Sequence, residues 1–263
     1  MSKLGKAFYS TLYVIAAILP MKFAAVPVFA QYDKDMFMYR GRSALADGKF
    51  SQAIENFNVL ARLDTTDYEN YFFRGIAKYN LGDFRGAKQD FNAAVRINPV
   101  FTSGYHYRGI TESRTGNYDA ALSDINKALE LRPGYSGLYF SRGVTYFLSQ
   151  RFDNAVKDFD RYIRKEPKDP SAYLNRGASY LFLGDTLKAM TDYNKAIRLD
   201  RFDPEGYVRR GRLYAAQNRM ENAEFYCMDA GAAAKLLAER GERPDVIVVD
   251  PPRKGVSADV IEA

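Results

Sequence analysis

Few residues in this chain have the types from which chemistry is made. There is one cysteine, Cys227, and one histidine, His106. A lone thiol cannot close an internal disulfide, and His106 has no second His or nearby Cys with which to hold a metal. No metal site and no cofactor is expected, and His106 is read as touching a partner or pointing into a groove. The other chemical stretch is near the C-terminus. There Val246 to Val249, a β-branched run of the kind that fills a buried parallel strand, leads into Asp250-Pro251-Pro252-Arg253-Lys254-Gly255.

That tail, about residues 219 to 262, resembles the S-adenosylmethionine-dependent RNA uracil-5-methyltransferases, including those acting on 23S ribosomal RNA. The resemblance rests on the Val-Ile-Val-Val run and on Asp250, Pro251, Pro252, Arg253 and Gly255. It implies a loop that follows a strand of a doubly wound sheet and borders an active site. Methylating uracil C5 requires a thiolate to attack C6, a base to take the C5 proton, and a bound methyl donor. The family's donor site precedes this segment and its nucleophilic cysteine follows it. Here repeats stand in the first place, Ala263 ends the sequence before the second, and Cys227, upstream of the loop, does not match the nucleophile. No catalytic residue is therefore expected, and the tail reads as a fragment fused to an unrelated protein.

The rest of the chain is organised around Arg-Gly. The dipeptide occurs at Arg40-Gly41, Arg74-Gly75, Arg108-Gly109, Arg142-Gly143, Arg176-Gly177 and Arg210-Gly211, a constant spacing of 34 residues. A unit of this size cannot bury its own apolar face, so a fixed period means stacked supersecondary elements with a continuous core. Four residues before each glycine stands an aromatic: Phe37, Tyr71, Tyr105, Tyr139, Tyr173, Tyr207. Seven after it come Gly48, Gly82, Gly116, Gln150, Gly184 and Asn218, residues suited to the left-handed conformation that ends a helix. Nine after it are Phe50, Phe84, Tyr118, Phe152, Thr186 and Met220. Twelve after it there is always alanine, and sixteen after it stand Phe57, Phe91, Ile125, Phe159, Tyr193 and Cys227.

These columns predict a helix, a tight turn and a second helix in each unit. The glycine would mark the close approach of the two helices, with the alanine as its reciprocal small surface. The pattern resembles the tetratricopeptide repeat, in a variant with Arg-Gly, over about residues 34 to 230. It implies an all-α, right-handed superhelical solenoid of about six units with a short non-repeat C-terminal tail. The domain division that follows is 1–30, 31–230 and an incomplete 231–263, with 221 to about 239 helical as a makeshift cap.

In that family the first helices line a concave groove that binds extended peptides or partner helices. Carried onto this sequence, the groove positions give Phe72, Ile76, Tyr79 and Asn80, then His106, Ile110, Ser113 and Arg114. Later units give Phe140, Val144, Phe147 and Leu148, then Leu174, Ala178, Leu181 and Phe182. The middle of this groove is apolar and aromatic. It reads either as an interaction surface or as residues packed against neighbouring units. Phe72 and Ile76 stand where a clamp for acidic tails would want Lys and Asn. The recurring arginine is read as serving the repeat itself, its stem covering apolar surface while its head bonds a carbonyl or carboxylate, rather than as a ligand contact.

With 47% apolar and 27% charged residues in 263, the chain can bury a core, and its formal charge of +6 is mild. Nothing resembles the dense basic stripe of a nucleic-acid groove, so the expected partner is a protein or peptide, not nucleic acid. Alternations such as Lys88-Gln89-Asp90 and Lys157-Asp158 read as solvated helix faces. The N-terminus has Lys3 and Lys6, an apolar stretch from Ala7 to Met21, and Val28-Phe29-Ala30 before Gln31, the pattern of a secretory signal. The expected location is periplasmic or extracellular. The alternative, an uncleaved membrane anchor, has Lys22, Pro20 and Pro27 against it.

Overall fold

The computed structural model describes residues 33–216, which hold eleven α-helices and no strand. The expected signal, the cap and the methyltransferase-like residues Asp250, Pro251, Pro252, Arg253 and Gly255 lie outside the described residues, as does Cys227. The chain divides after Thr115 into two compact units. The first holds α1 (Lys34–Ala46), α2 (Phe50–Leu63), α3 (Tyr68–Asn80), α4 (Phe84–Ile97) and α5 (Thr102–Arg114). The second holds α6 (Tyr118–Leu131), α7 (Ser136–Leu148), α8 (Phe152–Lys165), α9 (Pro170–Phe182), α10 (Thr186–Leu199) and α11 (Pro204–Ala216). Within each unit every helix packs on the next in sequence, which is the expected all-α repeat architecture.

Local sequence explains where the helices start and stop. Asp33, Asp67, Asp83, Asp169 and Asp185 each cap a helix by accepting backbone N–H bonds from its first turn. Pro170, with its fixed φ, opens α9. The turns after α1, α3 and α9 are closed by Gly48, Gly82 and Gly184 at φ of 71°, 82° and 83°. In the turn after α3, Gly82 N–H bonds the Tyr79 carbonyl at 3.0 Å and Asp83 N–H that of Lys78 at 2.9 Å, satisfying carbonyls the helix leaves open. Gln150 takes the same conformation at φ 60° without glycine's freedom.

The glycine of Arg-Gly meets a different neighbour from the one expected. A Cβ placed on Gly41, Gly75, Gly143 or Gly177 would lie 2.7, 2.7, 2.9 or 2.8 Å from a ring carbon of Phe57, Phe91, Phe159 or Tyr193. The reciprocal partner is thus the aromatic sixteen residues on, not the alanine. The alanines Ala53, Ala87, Ala121, Ala155 and Ala189 are nevertheless wholly buried. The glycine leaves room for a ring of the second helix, and each unit's core grows around these rings: Phe57 and Phe91 in the first, Phe159 and Tyr193 in the second. Replacing Gly143 by Leu forces the Phe159 ring aside, and a thermal melt should register about 1 to 3 kcal/mol of destabilisation. An unchanged melting curve would contradict the close approach.

Candidate functional site

The recurring arginine has a fixed set of partners. In α3, Arg74 donates from Nε to Asp90 Oδ2 at 2.9 Å and from Nη2 to Asp90 Oδ1, while Nη1 donates to Asn58 Oδ1 at 3.0 Å. In α7, Arg142 repeats this with Asp158, at 2.6 and 2.8 Å, and with Asn126 at 2.6 Å. In α9, Arg176 does so with Asp192, at 2.9 and 2.7 Å, and with Asp160 at 2.6 Å. Arg108 reaches Asn92 at 2.8 Å and Arg210 reaches Asn194 at 2.9 Å. Each bidentate carboxylate comes from the second helix of the arginine's own repeat, and each single oxygen from the second helix of the repeat before.

The aromatic three residues earlier completes the arrangement. The guanidinium carbons of Arg74, Arg142, Arg176 and Arg210 lie 5.4, 5.7, 5.5 and 5.5 Å from the ring centres of Tyr71, Tyr139, Tyr173 and Tyr207, within the range of cation–π attraction. The tyrosine hydroxyls reach back to loop carbonyls six residues earlier, those of Thr65, Pro133, Pro167 and Arg201. The hydrogen bonds to Asp158 raise the Arg142 pKa against the opposing effect of burial. Burial pulls the Arg176 pKa down, but its bonds to Asp192 and Asp160 outweigh that and raise it. This column is structural, as expected of the arginine. The solvated-face reading of Asp90 and Asp158 fails, since they are 3% and 2% exposed.

The groove candidates divide by burial. In the first unit Phe72 is a core residue, 8% exposed, with its ring against Phe101 at 4.8 Å and Tyr107 at 5.4 Å. Ile76 and Tyr79 are half-buried, Tyr79 edge-on to Phe84, and Arg114 is exposed. His106 is buried beside Tyr107, and desolvation pushes its pKa down to about 4. In the second unit Leu174 is buried, and Phe140 and Leu181 pack against the same cluster. Phe72, His106 and Leu174 are therefore not open to a groove, because their helix register turns them between helices. Among the described residues no cluster of His, Cys, Asp and Glu could hold a metal, and no helix is long and apolar enough to cross a membrane.

Phe147 behaves differently. It is half-buried at the end of α7 and meets Phe152 at 5.6 Å and Phe182 at 5.6 Å, while Phe152 and Phe182 stack at 4.8 Å with an interplanar angle of 6°. Phe182 remains 64% exposed, with Leu148, Leu183 and Leu187 exposed on the same helix ends and turns. The aromatic at the turn position, Phe152, thus joins two groove positions in one exposed apolar cluster.

A tetratricopeptide repeat model matches residues 72–136, 108–172 and 140–204, and a second one matches 204–230. The chain belongs to the tetratricopeptide repeat family. Among solved structures, a tetratricopeptide repeat protein from Parabacteroides merdae aligns with a TM-score of 0.63 and 22% identity, over 84% of this chain and 82% of that one. The MamA protein of Desulfovibrio magneticus aligns at 0.60 and 20% identity, over 65% and 97%. A thermophilic tetratricopeptide repeat protein of Thermus thermophilus aligns at 0.56 and 21%, over 70% and 100%. At these identities the likeness is one of fold. Among curated proteins, a 48-residue stretch, 18% of the chain, is 50% identical to an RNA methyltransferase of Caldanaerobacter subterraneus. A 49-residue stretch is 45% identical to one of Streptococcus mutans. The chain spans only 10% and 11% of the length of these two relatives.

Two measurements follow from this geometry. Asp158→Ala leaves the part-buried Arg142 guanidinium without its carboxylate and should cost about 3 to 5 kcal/mol in denaturant unfolding; a loss below 1 kcal/mol would show that the pair adds little. His106 titrates near 4 when folded and near its ordinary 6.5 when unfolded, so the unfolded chain binds the extra proton in between. Stability should accordingly fall as pH drops from 6.5 towards 4, by up to roughly 3 kcal/mol, and His106→Gln should flatten that part of the profile.

Proposed function

We propose that this protein is an exported, non-enzymatic scaffold that binds a protein or peptide through the open sides of its first helices. The observation that carries this reading is the part-exposed ring cluster of Phe147, Phe152 and Phe182, with Leu148, Leu183 and Leu187 exposed at the neighbouring helix ends of the second unit. Aromatic side chains left partly in water suit an interaction surface. In the first unit Ile76, Tyr79, Asn80, Ile110 and Arg114 are the groove positions left with exposed surface. Family membership supports a binding role in general; the ligand chemistry, an apolar segment able to lie against stacked rings, comes from the cluster. Export rests on the Lys3, Lys6 and Val28-Phe29-Ala30 pattern alone. An uncleaved signal would leave the same scaffold tethered to a membrane.

The short identity to RNA methyltransferases supports a second reading, a repeat protein joined to a methyltransferase-derived segment. With repeats standing where that family binds its methyl donor, the segment is inactive in this reading.

Phe147→Ala combined with Phe182→Ala should abolish recovery of partner proteins from the exported fraction while leaving the melting temperature within a few degrees. Retention of all partners by the folded double variant would overturn the binding-surface assignment. Fractionation with N-terminal sequencing should find a mature chain beginning at Gln31 outside the cytoplasm. Saturable binding of S-adenosylmethionine by the purified chain would refute the non-enzymatic reading of the tail.

A further inference from the structure

The arginine column has one member that is not completed. Arg74, Arg142 and Arg176 each bond a carboxylate of their own repeat and an oxygen from the helix before, and their side chains are 16%, 16% and 19% exposed. Arg40 sits at the same place in α1 but is exposed, and it makes no hydrogen bond or ion pair among the described residues. Among the described residues neither of its expected partners is in place. The position sixteen residues on holds Asn56 where later repeats have Asp90, Asp158 and Asp192, and the Asn56 amide is turned to the Gln52 carbonyl at 2.7 Å. No described helix precedes α1 to offer the second oxygen. Between α1 and α2 the first unit has an open cavity of about 530 Å³, whose lining includes Arg40, Asp47, Lys49, Glu55, Asn56 and Val59.

We infer that this end face of α1 and α2 is a docking site for a helix of a partner protein that presents a carboxylate to Arg40. The interior of the molecule supplies the pattern. Where Asp160 of α8 meets Arg176 of α9 at 2.6 Å, a second helix lays one acidic side chain on the guanidinium of the following first helix. The face of α1 repeats the receiving half of that joint. A carboxylate fits better than an amide, because Arg40 lacks the internal Asp that neutralises its counterparts, and a charge-assisted bidentate bond is the strong way to pair a guanidinium. Phe37 and Val59 offer apolar surface beside it, and Lys49 is already paired with Asp47 at 3.0 Å.

Other occupants match less well. Residues 1–32 contain no Asp, Glu or Asn, so they cannot provide the carboxylate. A second copy stacking in repeat register would bring the sixth repeat's equivalents of Asp158 and Asp160, which are Tyr226 and Met228. The site is independent of the aromatic cluster in the second unit, so either can fail without the other.

The joint can be rebuilt with a peptide. A hydrocarbon-stapled, fluorescently labelled peptide of residues 152–165, which carries Asp160, is titrated with the full chain and followed by anisotropy. Saturable binding is expected, weakened about tenfold by Arg40→Gln in the protein, by the same factor by Asp160→Ala in the peptide, and progressively by salt. Arg40 is exposed and unbonded, so Arg40→Gln should leave the melting temperature unchanged. Absence of binding, or equal binding by Arg40→Gln, overturns the inference. Sedimentation without peptide supplies the remaining outcome: self-association that Arg40→Gln abolishes would give the face to a second copy and overturn the assignment to a foreign helix.

Discussion

A guanidinium shared between two repeats is the interaction on which the rest of the structure depends. Arg74, Arg142 and Arg176 each take oxygen atoms from the second helix of their own repeat and from the second helix of the one before. The hydrogen bonding of these guanidinium groups is thus complete only when the preceding repeat is in place, which is the nearest-neighbour coupling that stabilises stacked repeats. Position matters as much as charge. Arg142 can hold Asp158 and Asn126 together because Gly143, next to it, lets the Phe159 ring draw the two helices of the repeat close. Arginine and glycine therefore act as one device, the first joining polar groups across helices and the second setting the distance between them.

That device also explains how interaction surface is left over. With the cohesion of the repeats supplied by buried ion pairs and by rings such as Phe91 and Tyr193, the ends of the first helices are released from packing duty. In α9 that freedom is taken up by Phe182, which stacks on Phe152 yet stays mostly in water. In α5 it is not: His106, Thr111, Glu112 and Ser113 are all buried, and Glu112 forms a salt bridge to Lys88 of α4. The two units thus differ in what they show to solvent although their repeats are built alike.

Much of the fold was legible in the sequence because the columns at fixed spacing each have one physical cause. Gly48, Gly82 and Gly184 take the left-handed turn their spacing implied, and Gln150 follows them despite its side chain. The partner of the Arg-Gly glycine was misread because positions twelve and sixteen residues on lie one helical turn apart on the same face; the greater reach of a ring, not the spacing, decides which one fills the gap. The buried carboxylates were misread because Asp90 and Asp158 sit among lysines in the sequence, where alternating charge resembles a solvated face. Their column, Asp90, Asp124, Asp158 and Asp192 with Asn58, Asn92, Asn126, Asp160 and Asn194 two places along the same helices, was present to be read beside the arginines. The groove was harder. Whether Phe72 or Phe147 faces water depends on a few degrees of helix rotation and on which rings the neighbouring helix supplies, and no periodicity carries that.

The tyrosine hydroxyls add a further consequence. Tyr71, Tyr139, Tyr173 and Tyr207 each span back over the connection between repeats to a carbonyl six residues earlier. A strut of fixed length across a loop acts as a ruler: lengthening that loop by one residue would pull the carbonyl away from the hydroxyl and the ring away from the arginine it faces. Insertions are consequently disfavoured at this connection. A gene encoding such a protein can be lengthened by duplicating whole periods far more readily than by adding residues one at a time.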